Sequence, residues 1–331
     1  MARRAGRGSM NEAELKALAG RYGFARVALC APEPFERWGR ARAGAHRTAQ
    51  HLSANPLEIA PWARAICVAA LPYPLYKPER GVSVAAYYVE YNAAHARGTE
   101  FVRELNARGV TAMLLEIPAK PAAERAGLGT YGRNGLIQIP GLGGCVMLRC
   151  IALGEGFEAA GPYPGGDADA PSHCGTCRRC VDACPSGALS EAGFDFTRCL
   201  RAHMMQGTPA PVDMRKQMGG RLLGCEECLR ACPHNAGALK AALEPPEALR
   251  QVLDIARVLD PATRADYMRQ YGALLGYNYA VTNRVLSQAV LVAANLGMTE
   301  LRALIEPLAD SPSEAVREHA RWALEQMADA D

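Results

Sequence analysis

Apolar and polar positions change rhythm several times along the chain. "NEAELKALAGRYG" spaces its apolar residues as a short helix does and ends at Gly23, and "FARVALC" then reads as a strand closing at Cys30. "RAICVAALP" (64–72) is an unbroken apolar run stopped by Pro72, the pattern of a strand covered on both faces. "VAAYYVEYNAAHARGTEFVRELNARG" predicts a long helix that breaks at Gly109, and "VTAMLLEIP" the next strand. This alternation predicts an α/β domain over residues 11–155. Glycine then crowds the chain at positions 127, 129, 132, 135, 141, 143 and 144. A turn-rich linker (156–172) leads into a cysteine-rich stretch (173–240), and helical rhythm dominates 241–331. There "NYAVTNRVLSQAVLVAANLG", "MTELRALIEPLAD" and "PSEAVREHARWALEQMAD" predict three amphipathic helices, either HEAT-like units or a helical cap on the preceding domain. Residues 1–10 read as a disordered tail, with Met10 opening the folded part.

Length and composition sharpen this outline only in places. A chain of 331 residues exceeds what one core serves, so two or three units are expected. No apolar stretch reaches the roughly 20 residues of a membrane span, and "MARRAGRGSMNEAEL" has no apolar signal core, so no membrane partner is expected. Lys and Arg total 37 against 34 Asp and Glu, too mild an excess to argue for nucleic acid. Twelve cysteines without an export signal point to a reducing compartment, the cytoplasm, where close cysteine spacing means metal or redox chemistry.

The cysteines carry the chemistry. Thiolates select zinc, copper(I) or iron–sulfur clusters. "CGTCRRCVDACP" has the C-x₂-C-x₂-C-x₃-C-P spacing of bacterial ferredoxins, in which the cysteine before proline ligates the other cluster. With that exchange, Cys174, Cys177 and Cys180 take one cluster, completed by Cys232 ahead of Pro233 in "GCEECLRACPHN". Cys184, Cys225 and Cys228 then lack one ligand, and Cys199 is the nearby thiol left to supply it. The expectation is a ferredoxin-like domain with two [4Fe–4S] clusters, zinc or a single degraded cluster being the alternatives. Cys30, Cys67, Cys145 and Cys150 lie in apolar runs and read as core filling. His173 and His234 flank the cluster runs. "GLGTYG" has the letters of a dinucleotide loop, but it follows a helical turn where that loop follows a strand.

"AERAGLGTYGRNGLI", the ferredoxin run, the lone "CL" at Cys199–Leu200, "GCEECLRACPHN" and the helical tail occur in an order that resembles the epoxyqueuosine reductase family, from about residue 15 to the end. The resemblance implies a cobalamin-dependent iron–sulfur enzyme. Its α/β domain would hold cobalamin close to one cluster, an acid would protonate a departing epoxide oxygen, and the tail would help hold tRNA. It also implies that Gly127–Asn134 line the corrin pocket: Gly127, Gly129 and Gly132 by close backbone approach, Tyr131 beside them, and Arg133 or Asn134 bonding corrin amides. The alternative is a tight loop with no ligand.

Three departures qualify the resemblance. The family's acid is an Asp three residues before the proline that precedes Glu-Arg, and Pro118 stands there in "IPAKPAAER", with Glu116 and Lys120 nearby. "YNAAHARG" at 91–98 replaces a D-Y-H stretch, and Ser287 and Gln288 replace an Arg-Asn pair. The reading that follows is an iron–sulfur oxidoreductase passing electrons from a ferredoxin- or flavodoxin-type donor through two clusters to a corrinoid, with a changed substrate. The alternatives are a true epoxyqueuosine reductase acting on tRNA, and a cobalamin-free electron carrier.

Overall fold

The computed structural model describes residues 10–36, 38, 52–159 and 174–328. The expected tail, His173 and most of the expected linker lie outside them. The chain divides into two compact units, one of residues 1–73 and 93–177, the other of residues 74–92 and 178–331.

In the first unit, helix α1 (Glu12–Arg21) starts at Asn11, whose side chain accepts the Glu14 N–H while the Glu14 carboxylate accepts the Asn11 N–H. This reciprocal cap satisfies two of the donors a helix start leaves open. Strand β1 (Arg26–Cys30) follows, then β2 (Ala65–Pro72), every residue of which is buried except Pro72, as its unbroken apolar run requires. Helix α2 (Ala86–Ala107) leads to β3 (Ala112–Leu115), and Gly109 between them adopts φ +85°, a left-handed turn open to glycine. Helix α3 (Ala119–Arg125), the hairpin β4 (Thr130–Tyr131) and β5 (Ile137–Gln138), and the long strand β6 (Val146–Leu153) complete the unit.

Helices and strands alternate as expected, yet every pairing in the four-stranded sheet is antiparallel, in the order β1-β2-β6-β3. β2, α2 and β3 form a split β–α–β unit. β2 and β3 run the same way, and β6 fills the gap between them in the opposite sense. α3 packs on β2 and β6, and Ile66, Val68, Ala70, Cys150 and Ala152 of the sheet meet Ala122 and Ala123 of α3 in one core. Phe101 of α2 is fully buried between the rings of Tyr22 and Phe24, 5.7 and 5.6 Å away between centroids. Burial of such a side chain contributes about 2–3 kcal/mol.

The second unit is helical apart from short strands. Ser83–Val84 pairs in parallel with Arg221–Leu223. α4 (Thr282–Asn295) packs along α5 (Glu314–Ala328), and Val285 to Ala293 of α4 are buried without a break. The core also takes in Val82, Val84, Ala85, Tyr88 and Val89. Ser287 and Gln288, which stand where an Arg-Asn pair is usual, are buried inside this core. Ser287 bonds the His319 ring at 2.6 Å, and the Gln288 amide donates to the Arg221 carbonyl at 2.8 Å. No helix among the described residues is long and apolar enough to cross a membrane.

Candidate cluster and cofactor site

Short helices position the cysteines of the second unit. Arg179–Asp182 carries Cys180 and ends just before Cys184, Glu227–Arg230 carries Cys228, and the two helices pack on one another. Cys199 opens the helix Leu200–Met205. Glu226, between Cys225 and Cys228, accepts the N–H of Ala86 at 3.0 Å and pairs with Arg230, which fixes the second cysteine run to the start of α2.

The donor set fits iron–sulfur clusters. Burial, then the nearby Cys225, Cys199, Cys180 and Cys184, push the Cys228 thiol up to about 12. A thiol raised in this way becomes a thiolate when cations lie beside it, which is what cluster irons would supply. Cys184 differs. Burial would raise it, but the N–H groups of Leu189, Ser186 and Ala188 and the Ser186 hydroxyl hold it below the ordinary thiol range. Such donors stabilise a thiolate or a cluster sulfur. Among the described residues no three His, Cys, Asp or Glu side chains converge as they would around a single ion. Cysteines at the corners of a cluster each meet a different iron and stand farther apart than ligands of one ion.

In the first unit the glycine-rich segment meets the ferredoxin run directly. The Arg133 N–H donates to Cys174 Sγ at 3.3 Å, and its guanidinium donates to the Gly175 carbonyl at 3.2 Å. Arg125 of α3 donates to the carbonyls of Glu33 and Pro34 and stacks 3.9 Å over the Phe35 ring, so this residue of the Glu-Arg motif is a clamp. Pro118 is buried immediately ahead of α3 and makes no side-chain cap bond, whereas Glu116 is exposed. Lys120, in the first turn, donates to the Gly135 carbonyl at 2.8 Å and lies 5.9 Å from the centre of the Tyr131 ring. Burial, with Glu124 nearby, pushes the Tyr131 phenol up.

Not all of Gly127–Asn134 faces outward. A Cβ on Gly129 would stand 2.5 Å from the Gln138 carbonyl oxygen, one on Gly132 3.0 Å from Gln138 Cγ, and one on Gly144 2.8 Å from Gln138 Nε2. These glycines are small because Gln138, 3% exposed, fills the space between them. The Asn134 side chain is buried and accepts the Leu136 N–H at 3.2 Å, so it faces the loop's interior. Nothing lies within 4 Å of a Cβ built on Gly135 or Gly141. Gly129, Gly132 and the Asn134 side chain thus face the loop's own interior, while Gly135 is open.

Gly129→Ala therefore sets a methyl against a backbone carbonyl that cannot rotate away. The β4–β5 hairpin must part, at a cost of about 1–3 kcal/mol. Chemical denaturation of the variant checks this, and unchanged stability refutes the packing described.

These features define a class. Residues 173–235 match the 4Fe-4S double cluster binding domain. The chain as a whole is similar to epoxyqueuosine reductases. It is 29% identical over 220 residues to the epoxyqueuosine reductase of Bacillus subtilis (strain 168), covering 65% of this chain and 54% of that one. It is 32% identical over 208 residues to that of Xanthomonas campestris pv. campestris, covering 62% and 56%. The chain thus spans about half the length of the curated relatives it matches. Its fold is that of the B. subtilis enzyme solved with its catalytic aspartate loop swung out of the active site (TM-score 0.76, 21% identity, 96% of this chain and 90% of that one). An epoxyqueuosine reductase bound to an epoxyqueuosine-modified tRNA-Tyr stem loop matches at TM-score 0.76 and 20% identity, with the same coverage.

Proposed function

We propose that the chain is an iron–sulfur reductase of the epoxyqueuosine reductase type. Cys174, Cys177, Cys180 and Cys232 hold one cluster, and Cys184, Cys199, Cys225 and Cys228 the other. Electrons from a low-potential ferredoxin- or flavodoxin-type donor pass through them to a corrinoid seated against Tyr131, Arg133 and Gly135. The observation that carries this reading is the Arg133 N–H on Cys174 Sγ, which makes one short segment a neighbour of both a cluster ligand and the open glycine face. Cobalamin, when bound, supplies a cobalt centre that accepts low-potential electrons and turns them on a carbon–oxygen bond. The chain's own part is to hold the ring, to shield it with the Tyr131 side chain and to deliver a proton to the departing oxygen.

The substrate in this reading is an epoxide on a modified tRNA base. The names of the relatives support it, and burial of Ser287 and Gln288 removes one of the three reasons for a changed substrate, because neither position offers tRNA a contact. The changed stretch at 91–98 and Pro118 in place of the aspartate remain, and Pro118 calls for a different proton donor.

Anaerobic reconstitution followed by cobalamin titration tests the proposal. A base-off absorption spectrum that saturates, on protein holding two clusters, is the expected result. No spectral change at saturating cobalamin overturns the corrinoid reading and leaves a cobalamin-free electron carrier.

A further inference from the structure

We propose that Lys120 is the proton donor of this site, in the place that the relatives' aspartate pattern leaves to Pro118; the inference rests on the reductase reading above. Lys120 lies two residues beyond Pro118. Its side chain folds back from the first turn of α3 onto the glycine-rich segment, where Nζ meets the Gly135 carbonyl and the Tyr131 ring. That segment is also the one whose Arg133 N–H reaches Cys174. An ammonium is therefore held at the open glycine face on a side chain long enough to follow a ligand, while Pro118 has no proton to give and Glu116 points to solvent.

The chemistry suits an ammonium. A carboxylic acid donates at neutral pH only if burial keeps it protonated, whereas an amine carries its proton there in its ordinary state. Converting an epoxide to an alkene breaks both C–O bonds and forms one C–C π bond, and it consumes two electrons and two protons. The electrons come from the low-potential donor through the clusters. Lys120 gives one proton to the departing oxygen and is reprotonated from solvent, water gives the second, and the oxygen leaves as water. Tyr131, its phenol kept protonated by burial, forms the wall against which the ammonium rests.

The test uses the full chain, reconstituted anaerobically with clusters and cobalamin, and a tRNA-Tyr stem loop carrying epoxyqueuosine. Lys120→Met should lower turnover by about 10²–10⁴-fold, the range of general-acid catalysis. Iron content and the base-off spectrum should match those of the unaltered protein. Lys120→Arg should retain stem-loop affinity, measured by fluorescence anisotropy without reductant, and methylammonium should restore turnover to Lys120→Ala. The inference is overturned if Lys120→Met turns over within about threefold of the unaltered chain, if methylammonium rescues nothing, or if the variants lose clusters or cobalamin. An unaltered chain that binds no cobalamin, or that leaves the stem loop unreduced, overturns the reductase reading beneath it, whereas an unaltered chain that reduces the stem loop while Lys120→Met does so equally well overturns the inference alone.

Discussion

A Cys199→Ala chain, reconstituted anaerobically, should hold about four irons where the unaltered chain holds about eight. Cys199 lies outside both cysteine runs, at the start of the helix Leu200–Met205, and among the thiols that raise Cys228. Alanine there leaves Cys184, Cys225 and Cys228 without a fourth thiolate, and a three-cysteine site exposes one iron corner to solvent. Cys67→Ala is the matched control, because that thiol is fully buried in β2 and burial, with Cys30 next, pushes it up to about 12. It should keep all its iron. Iron and acid-labile sulfide assays, with electron paramagnetic resonance of the reduced protein, read the result. Full iron content in Cys199→Ala would refute Cys199 as the eighth cluster ligand.

Acid should loosen the second unit through His319. Its ring, buried at 3% exposure, accepts the Ala210 N–H on Nε2 at 2.9 Å, so the neutral ring carries its proton on Nδ1, facing Ser287. Burial, aided by the nearby Arg215 and opposed by the Ser287 backbone, lowers its pKa from 6.5 to about 4. The folded state binds this proton less readily than the unfolded chain does. The stabilisation is therefore fully present above pH ~6.5 and is lost as pH falls through ~4, amounting to about 3 kcal/mol. A protonated Nε2 would also turn a donor against the Ala210 N–H. Denaturation followed by the fluorescence of Trp322 on the same helix should show the loss in the unaltered protein. His319→Gln should lack that component between pH ~6.5 and ~4, and parallel pH profiles for the two proteins would show that His319 does not carry it.

How far the sequence reached depended on how local each signal was. The strands at 65–72 and 112–115, α2 and its stop at Gly109 were legible because burial on both faces and a left-handed glycine leave marks within a few residues. The double-cluster domain was legible because the cysteine spacing within each run is local. The antiparallel insertion of β6 between β2 and β3 was not, since strand order is set by residues far apart in the chain. Asn134 looked like a ligand contact and faces inward, because Gln138, four positions on, fills the glycine hollow. The core bonds of Ser287 and Gln288 were not legible, because their partners His319 and Arg221 lie 32 and 67 positions away. The return of Lys120 to Gly135 depends on α3 and the loop closing on each other, which no local pattern records.

The second unit takes residues 74–92 from well ahead of the cysteine runs, and they are not decoration. They bring the strand that pairs with Arg221–Leu223, the Ala86 N–H that Glu226 accepts, and Tyr88, whose hydroxyl accepts from Arg201 at 2.7 Å. A gene fragment beginning at Arg178 would encode six of the eight expected cluster cysteines and omit part of the core behind them. Recombination at the cysteine motif would therefore break this unit, so its inheritance is tied to a stretch of coding sequence some ninety codons upstream that contains no cysteine.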